Sequence, residues 1–312
     1  MATGYFTHPA CRLHDMGPGH PECPQRLTAI DDHLRAQGLD AILIPSDCPV
    51  ATLEQLGHAH DHNYVIGTLD TLQRIHDSGS QRHLDPDTVA MPGTREAALR
   101  AAGGAIAATD AVIDGRLDNA FCAVRPPGHH ATRHETMGFC FFNNVAVAAR
   151  HALDDRGLSR VAVVDFDVHH GNGTEDILVD DDRVLMVGLF QHPFYPHTGA
   201  HPLGHNMVNA PLRARSDGKD VRELVTHRWI PALDDFKPEM IFISAGFDGH
   251  REDEMGGLNL VEADYAWITE QVMGVARRWS KGRIVSCLEG GYDLSSLSRS
   301  VAAHLRALSG EA

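Results

Sequence analysis

The sequence predicts an α/β protein, a three-layer α/β/α sandwich around a mostly parallel central sheet. Three observations predict it. Five short runs (119–124, 160–164, 183–189, 239–244 and 283–288) are apolar on consecutive residues, the pattern of strands covered on both faces. Between them lie stretches whose apolar spacing is close to helical period. Four of the runs end in glycine plus ionisable side chains, and open parallel sheets bind ligands beyond the carboxyl ends of their strands.

The elements follow in order. Near the start, 25–36 and 61–75 read as helices, and 94–113 is rich in alanine, the strongest helix former. The strand run 119–124 leads into Arg125-Pro126-Pro127-Gly128-His129-His130. A helix over 142–153, with Val145, Val147 and Ala148, precedes the run 160–164. That run opens into Asp165-Phe166-Asp167-Val168-His169-His170-Gly171-Asn172-Gly173. After the strand 183–189 and a helix over 220–233, the run 239–244 ends in Ala245-Gly246-Phe247-Asp248-Gly249-His250. A helix over 262–279 precedes 283–288, which ends in Glu289-Gly290-Gly291-Tyr292, and 295–308 is again helical. The sequence has no repeat, low-complexity tract or Pro/Gly/Ser-rich linker, so 1–312 reads as a single domain.

Charge narrows the function classes. Lys plus Arg number 27 against 42 Asp plus Glu, a formal charge of −15. Such a surface repels phosphate backbones and disfavours direct binding to nucleic acid. It attracts lysine-rich peptides or polyamines, although solubility alone explains it equally well. The six cysteines form no C-x-x-C pair, which points to a reducing compartment. Met1-Ala2-Thr3-Gly4-Tyr5 lacks a signal-peptide pattern and no apolar stretch is long enough to span a bilayer. The expectation is a cytoplasmic protein with no membrane partner; a homo-oligomer is left open.

The chemistry gathers at the strand ends. In an extended Asp165-x-Asp167-x-His169 the three side chains share one face. Carboxylates crowded at a buried strand end call for a compensating cation. Oxygen and nitrogen donors suit Zn²⁺, and three protein ligands plus one open position is the catalytic pattern. Asp248, from another strand end, is the best third ligand. A hydrogen-bonded carboxylate network capping loops would explain the Asp–His cluster taken alone. His129 and His130 follow a rigid Pro-Pro-Gly approach; neutral imidazole moves protons near neutral pH. Tyr292, after two glycines, offers a phenolic donor for a developing oxyanion.

Together these segments resemble the histone deacetylase and acetylpolyamine amidohydrolase superfamily, with its arginase-like α/β fold. The likeness runs from His20-Pro21-Glu22-Cys23-Pro24-Gln25-Arg26-Leu27, through Gly138-Phe139-Cys140-Phe141-Phe142-Asn143-Asn144, to Gly290-Gly291-Tyr292. In detail it is closest to class II and bacterial deacetylase-like amidohydrolases. The resemblance implies that Asp167, His169 and Asp248 hold Zn²⁺ (Fe²⁺ suits the same ligands). It makes His130 the main general base and acid, with His129 in electrostatic support. It places Tyr292 on the acyl oxygen, Gly138, Phe139 and Tyr195 along the acyl-lysine tunnel, and Asp165 and Asn172 as partners of the two histidines. The reaction implied is hydrolysis of an acyl-lysine peptide or a small N-acyl amine.

Three positions depart from relatives. Asn172 stands where class I members have Asp, so the partner of His130 is uncharged. Gly188 stands where many members have a Ser near a potassium site, which leaves K⁺ to backbone carbonyls. Met255 occupies the position of the acidic gatekeeper of eukaryotic polyamine-selective members. That argues against their mode of polyamine selection, while an acetylpolyamine deacetylase stays the nearest alternative. An arginase-like ureohydrolase fits poorly, because its Asp-x-His-x-Asp arrangement is missing. A catalytically dead scaffold would be expected to lose a ligand or the tyrosine, and all are present.

Overall fold

The apolar runs become strands because each places hydrophobic side chains on both faces, and a sheet between two helical layers is where both faces are dry. A computed structural model describes residues 1–311. Its strands are β1 (Thr3–Phe6), β2 (Leu43–Ser46), β3 (Arg82–His83), β4 (Val89–Ala90), β5 (Asn119–Cys122), β6 (Val161–Asp165), β7 (Val184–Gln191), β8 (Met207–Leu212), β9 (Met240–Ala245) and β10 (Ile284–Leu288). Eight form one sheet in the order β2-β1-β5-β10-β9-β6-β7-β8, every neighbouring pair parallel. β3 and β4 pair as a separate antiparallel ribbon.

The helices are α1 (Gln25–Ala36), α2 (Leu53–Gly57), α3 (His62–Ser78), α4 (Thr94–Ile113), α5 (Asn144–Asp154), α6 (Asn172–Leu178), α7 (Gly218–Leu224), α8 (Ile230–Phe236), α9 (Glu262–Trp279) and α10 (Leu294–Ser309). α10 packs between α1 and α9 to form one outer layer, and α4 with α5 forms the other. α4 buries mostly alanine and glycine along its inner side, from Ala97 to Val112, with Thr109 bonded back to Ala105 O, so it lies close on β1, β5 and β10. No described helix is long and apolar enough to cross a membrane.

Sequence and structure differ in instructive places. The strands β1, β2 and β8 give no apolar run: β1 is four residues, and β2 and β8 contain Pro45 and Pro211. Proline is tolerated there because β2 and β8 are the edges of the sheet. The single helix expected over 220–233 is α7 and α8 joined by a wide π-type turn, Val225–Trp229. Pro231 supplies no N–H to that run, and the turn before it widens.

Sheet order is what positions the site. The four strands with polar ends, β5, β10, β9 and β6, are adjacent at its centre. Beneath those ends sits an aromatic cluster that anchors the loops. Phe166 and Phe247, each one residue before a candidate ligand, point into the α9–α10 layer. They meet Tyr265 at 5.9 and 5.1 Å and His304 at 5.9 Å each, ring centre to ring centre. Each buried aromatic contributes about 2–3 kcal/mol of burial free energy. His304 bonds Thr269 Oγ1 at 2.7 Å and Ser286 Oγ at 2.9 Å. Burial lowers its pKa to about 3, so it packs as a neutral ring.

Candidate active site

The loop after β6 is not the extended ladder that alternation suggests. The strand stops at Asp165, and residues 166–170 bend. Two successive Asx turns shape the bend: Asp165 Oδ1 accepts from Asp167 N at 3.1 Å, and Asp167 Oδ1 from His169 N at 2.8 Å. Asp165 therefore turns away from Asp167 toward His129, whose Nδ1 lies 3.1 Å from Asp165 Oδ2. Asp167 and His169 face the other way, to Asp248 on the loop after β9.

Asp167, His169 and Asp248 offer ligand atoms that all lie within 4.8 Å of one another, and all three residues are buried. His169 Nδ1 sits 3.1 Å from Asp167 Oδ1 and 3.2 Å from Asp248 Oδ2. Backbone groups take the outer oxygens: Gly290 N–H donates to Asp167 Oδ2 at 2.8 Å and Val168 N–H to Asp248 Oδ1 at 2.9 Å. Glycine is required at 246 and 290, because a Cβ at either would collide with Asp167 or Asp248 Oδ2.

The electrostatics show what the cluster lacks. Burial and the Asp167 carboxylate push Asp248 up to about 7. Burial opposes the charged form of His169, but its bonds to Asp167 and Asp248 raise it to about 10. Burial also opposes ionised Asp167, yet the charges of His129 and His169 hold it far below the ordinary carboxylate range. Asp248 Oδ2 has no aligned hydrogen-bond donor. Two carboxylates sharing one proton-hungry imidazole, with an orphaned oxygen aimed at the gap, are a donor set that fits a divalent cation.

The two histidines do not diverge. Their ring centres are 4.1 Å apart, tilted by 43°. His130 Nδ1 donates to Asn172 Oδ1 at 2.7 Å, which leaves Nε2 as the free acceptor. Burial, then the neighbouring charges of His129 and His169, push His130 well below the ordinary histidine value. His129 behaves oppositely: burial works against its charge, but Asp167 and Asp165 outweigh it and raise it to about 10.

His130 and His169 open onto a cavity of about 270 Å³. His130, His169, Gly138, Phe139, Tyr195, Met255 and Tyr292, all singled out in the sequence, line it. Phe139 adopts a positive φ of 70° and meets the Tyr292 ring edge-on at 5.9 Å. Tyr195 meets His130 at 5.3 Å across the cavity. Gly138, at φ 52°, passes so close to His130 that a Cβ would strike the ring. Tyr292 rests on the Arg26 guanidinium, 5.0 Å from its ring centre.

Sequence reasoning missed four groups. Phe194 stacks on His169 at 5.4 Å. The carboxylates of Asp87 and Glu254 stand exposed at the cavity mouth. Asp253, buried, accepts from the backbone N–H of Tyr292 at 2.6 Å, Asp293 at 3.0 Å and Met255 at 2.9 Å, tying two loops together. Phe194 was visible beside Tyr195; the other three sit in loops with no motif to mark them.

A parallel sheet whose central strand ends gather carboxylates, histidines and a tyrosine around one cavity defines an α/β protein with a candidate metal centre. The family follows from the comparisons: the profile described as Histone deacetylase domain matches residues 20–308, and the chain belongs to that family. Histone deacetylase-like amidohydrolase of Pseudomonas aeruginosa is 35% identical over 314 residues, covering 93% of this chain and 81% of that one. Type-2 histone deacetylase 2 of Dictyostelium discoideum is 36% identical over 347 residues, which is 96% of this chain but only 20% of that protein. The crystal structure of the HDA15 HD domain superposes with a TM-score of 0.92 at 33% identity, covering 99% of this chain and 90% of that one. The fold is thus that of the histone deacetylases, and the family is one of deacetylases and amidohydrolases, enzymes that hydrolyse amides.

Proposed function

We propose that residues 1–312 form one cytoplasmic catalytic domain, a zinc-dependent deacylase that hydrolyses N-acetyl-lysine-type amides. The observation that supports this most is the meeting of Asp167, His169 and Asp248, with His169 lining a cavity that also receives His130 and Tyr292. Zn²⁺ held by those three ligands supplies Lewis acidity toward the substrate carbonyl and lowers the proton affinity of water. A structural potassium ion near Gly188 belongs to this reading on the strength of the family resemblance.

The chain's own residues do the rest. Phe139 and Tyr195 flank the acyl-lysine side chain and exclude water from it. Because Asn172 fixes the proton on His130 Nδ1, the Nε2 lone pair accepts a proton from the attacking water and returns it to the amine leaving group. Asp167 and then Asp165 favour the charged form of His129, and that charge favours the negative transition state. Tyr292, whose phenol is raised well above its ordinary pKa by burial and then by Asp248, stays protonated and donates to the developing oxyanion. Turnover of a fluorogenic acetyl-lysine or trifluoroacetyl-lysine peptide tests the reading. Activity must disappear on zinc chelation and fall by about 10²–10⁴-fold in His130→Ala. A zinc-loaded protein that turns over no acyl amide would sink it.

A second reading, acetylpolyamine deacetylase, is favoured by the exposed Asp87 and Glu254 carboxylates at the cavity mouth. Comparing kcat/KM for acetylputrescine, acetylspermidine and an acetyl-lysine peptide decides between the two.

A further inference from the structure

β5 and β10 pair in register only as far as Cys122 and Cys287. Beyond that point the chain after β5 runs through Pro126 and Pro127, which have no N–H, so a backbone ladder cannot continue. Past the prolines, the buried Glu289 side chain takes over. Its Oε2 accepts from the backbone N–H of Gly128 at 2.7 Å and of His129 at 3.1 Å. Its Oε1 accepts from Ser244 Oγ at 3.2 Å, on β9. Glu289 itself is locked, its N–H donating to Ala245 O at 2.9 Å and its carbonyl accepting from Arg26 Nη2 at 2.5 Å. Three residues further on comes Tyr292.

We propose that Glu289 is a positioning residue whose carboxylate splices the His129–His130 loop to the strand end bearing Tyr292, fixing the imidazole against the phenol. The inference rests on the deacylase reading for its kinetic consequence. A fully buried acid with no charged partner in hydrogen-bond contact is costly to keep. Two adjacent N–H donors and one hydroxyl are the compensation; the N–H groups lie on the loop that carries His129 and His130, and the hydroxyl near the end of β9. The side chain touches neither cavity nor candidate ligand, so its effect passes through the groups it holds.

Three variants test the splice: Glu289→Ala, Glu289→Asp and Glu289→Gln. Glutamine preserves every bond, since its Oε1 accepts both N–H groups and its Nε2 donates to the Ser244 hydroxyl, whose proton turns away. Aspartate keeps the charge but, one methylene shorter, withdraws the acceptor. On an acetyl-lysine peptide, kcat falls about 100-fold in Glu289→Ala, the cost of an ångström-scale misplacement, while KM moves less than about threefold. Glu289→Asp falls by at least about 10-fold and Glu289→Gln stays within about fivefold of wild type. Should Glu289→Ala fail to fold, the aspartate and glutamine variants still carry the test. Wild-type kcat in Glu289→Asp, or equal losses in aspartate and glutamine, overturns the proposal. Amide hydrogen exchange at Gly128 and His129 gives a readout independent of turnover: faster in Glu289→Asp supports the splice, unchanged refutes it. If wild type hydrolyses no acyl amide, the deacylase reading fails while exchange still judges the splice.

Discussion

The base of the cavity and its mouth are built on opposite terms. At the base the ionisable groups are buried and each is held by a hydrogen-bond partner: Asp165 for His129, Asn172 for His130, backbone N–H groups for Asp167 and Asp248. Below it Glu22 is held by Arg26 and Arg125, with the His14 ring 3.5 Å away, all fully buried. At the mouth, Asp87 and Glu254 are exposed and line the same cavity as Met255 and Phe139. Buried partners fix protonation and geometry, which suits a single chemistry. Exposed carboxylates are screened and mobile, so they bias which substrate arrives without altering how it reacts.

The largest test of that contrast removes the base's reason for being. Asp167→Ala or His169→Ala leaves a protein with no stoichiometric zinc by elemental analysis and no deacylase activity above background; retained activity would break the contrast outright. His130→Ala lowers kcat/KM by about 10²–10⁴-fold, and Tyr292→Phe by about 10²–10³-fold, both with zinc content unchanged. Asn172→Asp sharpens the point about partners. A carboxylate beside His130 stabilises the imidazolium, so the acidic limb of the kcat/KM profile moves upward by about one pH unit or more. A profile that does not move would mean that another group governs that limb.

The base is also where acid attacks. Burial opposes ionised Glu22, yet Arg125, His14 and Arg26 hold it down to about 2, while burial keeps His14 at about 4. Both groups bind fewer protons folded than unfolded between their folded and ordinary values. Stability is therefore fully present above pH 6.5, falls first through the His14 window toward 4, then from 4.5 toward 2 as Glu22 protonates. The Glu22 share is at most about 3 kcal/mol. Urea midpoints between pH 7 and 3 measure it, and a flat profile would contradict the assignment. The smallest effect belongs to the mouth: Glu254→Gln shifts KM for a cationic substrate by about threefold or less and leaves kcat alone.

The same contrast explains how much was legible in the sequence. Central strands and long helices were readable because burial on both faces, or on one stripe, writes itself into consecutive or periodic apolar residues. Helices 25–36, 94–113 and 262–279 match α1, α4 and α9 end to end. Asp167, His169 and Asp248 were legible as candidates from residue type at strand ends, and the structure brings them together. The bend that aims them was not legible, since an Asx turn and an extended strand can share the spelling Asp-x-Asp-x-His. Glu289 lay in plain view beside Gly290, but the backbone N–H groups it holds, at Gly128 and His129, are 161 and 160 residues away in the chain. Asp87 and Glu254 have no pattern at all, because an exposed carboxylate at a mouth is spelled like any other surface acid.

The central seat of β10 has a consequence for how this protein is made. The last of the ten strands to leave the ribosome fills the gap between β5 and β9. Until it arrives, two interior strands expose raw hydrogen-bonding edges bearing Phe121, Ile241, Phe242 and Ile243, the template on which nascent chains stick to one another. A chain arrested before residue 284 thus holds every candidate metal ligand on an unclosed sheet.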